Sequence, residues 1–211
     1  MLIAARTATW DGKALPYLRR VAYLESSGTQ YIETKLYPKS SWTFDTEITC
    51  LRNDYNCVYW GVRSGGEYDS NNLQCYLNSN TTNPGSSVIR LCSTSAGSGY
   101  NWSSGIIPVV GLTYRFTGIT VVQSMQDMTY PIVMFGFNIK GVVHAEVGVC
   151  RIGLLAAYDN DVLIAKYIPV IDLSGRPAMY DEVSGQFFYN KGTGEFTWGE
   201  LDAASANGGG V

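Results

Sequence analysis

The sequence is poor in charge. Only 16% of its 211 residues are Asp, Glu, Lys or Arg, and 15 basic residues against 18 acidic ones leave a formal net charge of −3. Nonspecific nucleic-acid binding needs a basic surface that displaces counterions, and no Lys/Arg stripe offsets the mean, so that class is set aside. His144 is the single histidine. A Ser-His-Asp triad would have to use it, yet no Gly-x-Ser-x-Gly elbow occurs, and His144 reads as a partly exposed loop or strand residue. The five cysteines, Cys50, Cys57, Cys75, Cys92 and Cys150, form no Cys-x-x-Cys pair and no Cys/His cluster, which leaves a structural zinc site without ligands. An odd number at scattered spacing is not a disulfide framework, and the cysteines read as small buried thiols. A Gly-x-x-x-x-Gly-Lys-Ser/Thr phosphate cradle is missing, and so is any sustained 3.6-residue apolar period. No apolar run approaches the ~20 residues of a bilayer span, which argues against membrane insertion. The apolar run Leu2 to Ala5 has no basic stretch before it and does not read as a secretory signal, so synthesis and folding in a reducing cytoplasm are expected.

What is abundant is the material of strands and turns. Glycine stands at 23 and tyrosine at 15, and 45% of the residues are apolar. Short β-branched and aromatic runs are separated by Gly, Asn, Asp, Ser and Pro clusters. Ser41 to Leu51 is the clearest strand: Trp42, Phe44, Thr46, Ile48 and Cys50 take one face, and Thr43, Asp45, Glu47 and Thr49 the other. Further extended segments are expected at Val21 to Leu24, Gln30 to Glu33, Asn56 to Val62, Leu73 to Leu77, Val88 to Cys92, Leu112 to Val122 and Tyr130 to Ile139. Gly136 marks a bulge or close backbone approach in the last of these. Val147 to Tyr158 and Val162 to Ile168 flank Asp159-Asn160-Asp161 as a hairpin, and Ala178 to Asp181 pairs with Gln186 to Tyr189 across Glu182 to Gly185. The pattern predicts an all-β, two-sheet antiparallel sandwich in one domain over 21–200, with an N-terminal arm at 1–20 and a flexible C-terminal tail at 201–211.

Two stretches carry a resemblance. Tyr23-Leu24-Glu25-Ser26-Ser27-Gly28-Thr29-Gln30-Tyr31-Ile32-Glu33-Thr34 resembles the entry motif of laminin-G-like, concanavalin A-like jelly-roll domains of gut bacterial and phage surface proteins. Gly61-Val62-Arg63, the hairpin from Ala157 to Ile168-Pro169, and Gly175, Met179-Tyr180-Asp181 and Phe188-Tyr189-Asn190-Lys191-Gly192-Thr193-Gly194 continue the likeness over most of the chain. The resemblance implies a jelly roll whose relatives include sugar-binding modules, adhesins and phage virion or tail proteins. It implies a virion or cell-surface location, and it does not carry function automatically.

Glycosidases of this architecture use paired carboxylates on one strand. Asp45 and Glu47 share a face, but the leading glutamate of the Glu-x-Asp-x-x-Glu pattern is replaced by Thr43, and a solvated outer face accounts for both. The chain therefore reads as no enzyme. Calcium would find hard oxygen ligands at Glu67, Asp69 and Asn71, or at Asp159, Asn160 and Asp161, although Asx-rich turns have the same composition without an ion. The stronger signal is aromatic residues in polar loops, because a sugar's C–H face stacks on a flat ring while amides and carboxylates hold its hydroxyls. Tyr68, Asp69, Asn71 and Asn72, with Tyr100 and Trp102, make such a ligand site if their loops share a rim. The alternative for Trp102 is that it folds back as a plug. Tyr55, Tyr59 and Trp60 read as core or groove wall. The expected partner is a glycan or cell-surface receptor, and other virion subunits if the chain is instead an assembly protein.

Overall fold

A strand that alternates apolar and polar residues can bury one face only, and Trp42–Cys50 does this: Trp42, Phe44, Thr46, Ile48 and Cys50 are buried while Thr43, Asp45 and Glu47 are half-buried on the opposite face. The computed structural model describes residues 9–10, 13–53, 55–64, 71–78, 87–94, 105–121 and 125–201. Among the described residues the chain is all-β, its only helical piece being a 3-10 turn at Ala145–Val147.

Strands β1 (Thr9–Trp10) and β2 (Lys13–Ala14) pair as a small ribbon, and β3 (Tyr17–Arg20), β4 (Tyr23–Ser27), β5 (Ile32–Glu33) and β6 (Trp42–Cys50) follow. Next come β7 (Cys57–Arg63), β8 (Asn72–Asn78), β9 (Val88–Thr94), β10 (Thr113–Thr120), β11 (Val133–Met134), β12 (Phe137–Ile139) and β13 (Val142–His144). The last five are β14 (Val149–Asp159), β15 (Val162–Asp172), β16 (Pro177–Asp181), β17 (Gln186–Phe188) and β18 (Thr197–Gly199). The nine-stranded sheet runs β10-β6-β14-β15-β16-β17, with β4 bridging β14 and β18 and with β3 on β15. The seven-stranded sheet places β7 between β8 and the short strands β11 and β12; β9, β5 and β13 flank these. Pairing is antiparallel throughout, except that β12 runs parallel to β7.

The two sheets enclose one large apolar cluster that includes Leu24, Phe44, Ile48, Trp60, Val62, Leu73, Ile152, Leu155, Tyr167, Phe188 and Phe196. The Phe44 and Trp60 rings meet at 5.3 Å across the two sheets, and the Trp60 indole Nε1 donates to Thr46 Oγ1 at 3.1 Å. A buried indole therefore keeps its hydrogen bond inside the core.

Several expectations change in detail. The segment expected at Val21 to Leu24 runs on through Glu25-Ser26-Ser27 in β4: Ser26 Oγ donates to the Gln30 backbone and side-chain oxygens at 3.1 Å, so its hydroxyl is satisfied inside the sheet edge. The run Tyr130 to Ile139 is two strands, parted where a Cβ on Gly136 would sit 2.8 Å from the His144 carbonyl oxygen. The last four residues of the arm, Tyr17–Arg20, form a strand of the nine-stranded sheet, with Arg20 opposite Val170 and Tyr17 opposite Asp172.

Candidate functional site

The fold leaves each sheet with an outer face, and the two differ in chemistry. On the nine-stranded sheet, Tyr17, Leu154, Ala156, Ile168, Val170 and Ala178 form a second apolar cluster, flanked by Tyr158, Tyr180, Phe187 and Tyr189. The rings contact one another: Tyr17 and Tyr180 at 5.4 Å, Tyr180 and Phe187 at 4.9 Å, and Phe187 stacked on Tyr189 at 6.0 Å. The polar groups around them are engaged. Asp172, 5% exposed, accepts from Ser174 N and Oγ, Arg176 N and Nε, and Tyr189 OH, at 2.6–3.1 Å. Burial pushes its pKa up, but these donors outweigh that and hold the carboxyl well below the usual range. Asp181 accepts from Lys166 N, Val183 N and Ser184 N and Oγ, which caps the β16–β17 turn. Asp45 and Glu47 also lie on this face. Asp45 accepts from Gly118 N at 2.8 Å and Tyr158 OH at 3.2 Å, so it is a hydrogen-bonded, half-buried carboxylate rather than a freely solvated one. Glu47 stands opposite Arg115 and lies over Gly153, where a Cβ would come within 2.5 Å of Glu47 Oε1.

The outer face of the seven-stranded sheet combines a buried polar row with a small apolar cluster of Val58, Tyr76 and Phe137, flanked by Ile139 and Val147. Along β8, Leu73, Cys75 and Leu77 point into the core, which sends Asn72, Gln74 and Tyr76 outward. Register sets Arg63 opposite Asn72, Gly61 opposite Gln74, and Val58 opposite Tyr76, which in turn faces Arg90. Gly61 is the floor. A Cβ there would lie 2.7 Å from Gln74 Cβ, 2.9 Å from the Leu73 carbonyl oxygen and 2.9 Å from Phe137 Cδ2, so only glycine lets the amide and the ring close down together. Phe137 carries the Arg63 guanidinium over its ring at 5.0 Å. Such stacking fixes the plane of the guanidinium while leaving its N–H edge available.

Two groups on this face are unsatisfied. Gln74 is 6% exposed, and no hydrogen bond joins its carboxamide to any described residue. Arg63 Nε is buried with no acceptor, and no ion pair reaches Arg63 among the described residues. A buried guanidinium N–H without a partner costs about 1–3 kcal/mol, whereas the Gln74 carboxamide keeps solvent contact at its tip. The described carboxylate of this face is Glu33, exposed on β5 two strands from β7, and no ion pair joins it to Arg63.

Of the six residues expected to hold ligand, Tyr68, Asp69, Tyr100 and Trp102 lie outside the described residues. Asn71 and Asn72 are described, and both are buried. Asn71 closes the β7–β8 connection: its carbonyl accepts from Ser64 N at 3.0 Å and its Oδ1 from Gln126 N at 3.3 Å. Asn72 sits in the polar face beside Gln74. Sequence reasoning passed over Gln74 and gave Arg63 only a fold-marking role, although the polar/apolar alternation of Asn72 to Leu77 contained the signal.

The remaining candidates resolve locally. Asn160 and Asp161 have φ of 47° and 65°, the left-handed pair of a two-residue type I′ hairpin turn, which explains their composition. Asp159 Oδ1 accepts from Ser41 Oγ at 2.7 Å and Asn160 Nδ2 at 2.9 Å. Glu67 and Asp69, the other proposed calcium ligands, lie outside the described residues, and no group of three or more metal-capable side chains occurs among the described ones. His144 Nδ1 meets Glu146 Oε1 at 2.9 Å at the end of β13. Tyr59 and Trp60 are core, whereas Tyr55 is 51% exposed under Arg52, not part of a wall. Cys50, Cys57, Cys75 and Cys150 are buried free thiols gathered around the Tyr59 hydroxyl; burial raises the pKa of Cys50, Cys75 and Cys150, which makes them poor nucleophiles.

No protein-family profile, curated protein or solved structure matches the chain.

Proposed function

We propose that the chain is a non-enzymatic, lectin-like module of concanavalin A-like jelly-roll type that binds a glycan or another surface ligand on the polar face of its seven-stranded sheet. The observation that carries this reading is Gln74, 6% exposed with no hydrogen bond on its carboxamide, opposite Gly61, whose missing Cβ lets Gln74 and Phe137 close down, and diagonal to Arg63. Amides, a guanidinium and an aromatic wall on a rigid sheet are the parts with which a sugar's hydroxyls and C–H face are recognised. Binding without turnover is supported by Asp45, whose two carboxylate oxygens are already held by Gly118 N and Tyr158 OH. The loops bearing Tyr68, Asp69, Tyr100 and Trp102 adjoin β7, β8 and β9 in sequence, which suits a rim around that face. A location on a virion, phage tail or bacterial surface follows from the resemblance of Tyr23 to Thr34 and Gly175 to Gly194.

A glycan array probed with the wild-type chain and Gln74→Leu tests the reading. Retention of at least one glycan by the wild type, and its loss in the variant, is the expected result. Silence of the wild type across neutral and acidic glycans alike sinks it.

A second reading, an assembly protein of a capsid or fibre, has one observation in its favour. Ile107, Val109, Val110 and Leu112 are all exposed in a single turn ahead of β10. Under that reading light scattering finds a defined oligomer that Val109→Ser with Val110→Ser dissociates.

A further inference from the structure

The polar face also indicates what kind of glycan fits it. We infer that it selects a carboxylate-bearing sugar, such as a uronic acid residue, with Arg63 as the acid-reading group; this rests on the glycan-binding reading above. Three observations lead there. Arg63 keeps its charge without a carboxylate partner among the described residues, in a chain whose net charge is −3. Arg19, Arg151 and Arg176 each pair with an acid, and Arg20 and Arg115 do not, but neither of those two has a buried Nε. Its Nε is a buried donor with no acceptor, and the Phe137 ring at 5.0 Å holds the guanidinium plane. A carboxylate is the planar, two-oxygen acceptor that matches a guanidinium edge.

Gln74 completes the selection. It stands opposite Gly61, two residues from Arg63 on the neighbouring strand, and Asn72 stands opposite Arg63. Diagonal neighbours of this kind are about 7–8 Å apart, a gap that one pyranose ring spans. With its carboxylate on Arg63, the ring presents hydroxyls to the Gln74 amide, which both donates and accepts. A neutral hexose offers the guanidinium only single, uncharged hydroxyl oxygens in place of a two-oxygen anion. The face therefore discriminates through the charge and paired geometry of the contact to Arg63, which a hydroxyl does not reproduce.

The test compares polygalacturonate with its methyl ester, the same backbone with the charge capped, by calorimetry on the full chain at two salt concentrations. The expected result is binding to polygalacturonate at least about tenfold tighter than to the ester, since a charge-assisted bidentate pair contributes more than a kcal-scale hydrogen bond. Arg63→Lys, which keeps the charge and loses the fork, is expected to weaken it about tenfold. Circular dichroism and a thermal melt verify that the variant is folded; if it is not, the ester comparison on the wild type still decides. Equal affinity for acid and ester, or acid binding that a folded Arg63→Lys leaves unchanged, overturns the inference while the glycan-binding reading stands. Binding to neither polymer nor to any polysaccharide in a neutral panel overturns both.

Discussion

The outer faces of the two sheets show two uses of buried polar groups. On the nine-stranded sheet, polar groups are spent on the protein itself. Asp172 ties together the β15–β16 turn, Arg176 and Tyr189; Asp181 caps the next turn; and Lys166 and Glu182 pair at 2.8 Å. Even the rings on that face stack on each other. On the seven-stranded sheet, Gln74 is as little exposed yet makes no side-chain hydrogen bond, and Arg63 Nε is buried without an acceptor. Depth and residue type alone do not separate scaffold from site. On the outer faces, whether the polar side chains are already partnered does, although the core also holds a buried donor without an acceptor, Trp42 Nε1.

The contrast can be broken most forcefully at Asp172. Asp172→Ala removes several charge-assisted hydrogen bonds and is expected to lower unfolding free energy by about 3 kcal/mol, read by urea denaturation, with ligand binding by the folded fraction unchanged. The same carboxylate sets an acid limit. Its folded pKa is depressed, so its contribution is present above the ordinary aspartate range near pH ~4 and is lost as pH falls below it. Urea midpoints that fall equally for wild type and Asp172→Ala below that pH contradict this assignment.

A smaller loss is expected from Gly61→Ala. Its methyl group meets Gln74, Leu73 and Phe137 at once, which costs about 2 kcal/mol through forced displacement of packed neighbours. Unlike Asp172→Ala, it is expected to abolish ligand binding in the folded protein. The smallest stability effect belongs to Gln74→Leu, a near-isosteric change that removes an unpartnered amide. Its melting temperature is expected to stay level or rise. A fall of several degrees would show that Gln74 is a structural residue after all, and the comparison of the two faces would collapse.

Much of the fold was legible because it is written locally. The two faces of β6, the β14–β15 hairpin with its Asn160-Asp161 turn, and the pairing of β16 with β17 each follow from residues close in sequence. The features that escaped depend on distant partners. Ser26 and Ser27 look like turn formers until Gln30 Oε1 accepts from both hydroxyls and lets β4 continue. The parallel pairing of β12 with β7 is set by where Gly136 fits against His144, which no local pattern announces. The same holds for the site. The alternation of Asn72, Gln74 and Tyr76 reveals an outward face, but that Gln74 is buried on it and left without a partner depends on Gly61 and Phe137 arriving from other strands. The loop aromatics drew attention because their composition is conspicuous, whereas a lone glutamine among leucines is not.

The pairing of β4 with β14 and β18, and of β3 with β15, has a consequence in time. Five of the nine strands in that sheet, β14 to β18, are made last, yet two of the earliest strands find their neighbours only among them. A nascent chain therefore carries Tyr17–Arg20 unpaired until Val170–Asp172 has been made, and Tyr23–Ser27 unpaired until Val149–Ile152 has. The second edge of β4 closes only when Thr197–Gly199 arrives. A chain cut short before Thr197 keeps an open edge beside Leu24 to which another copy can add.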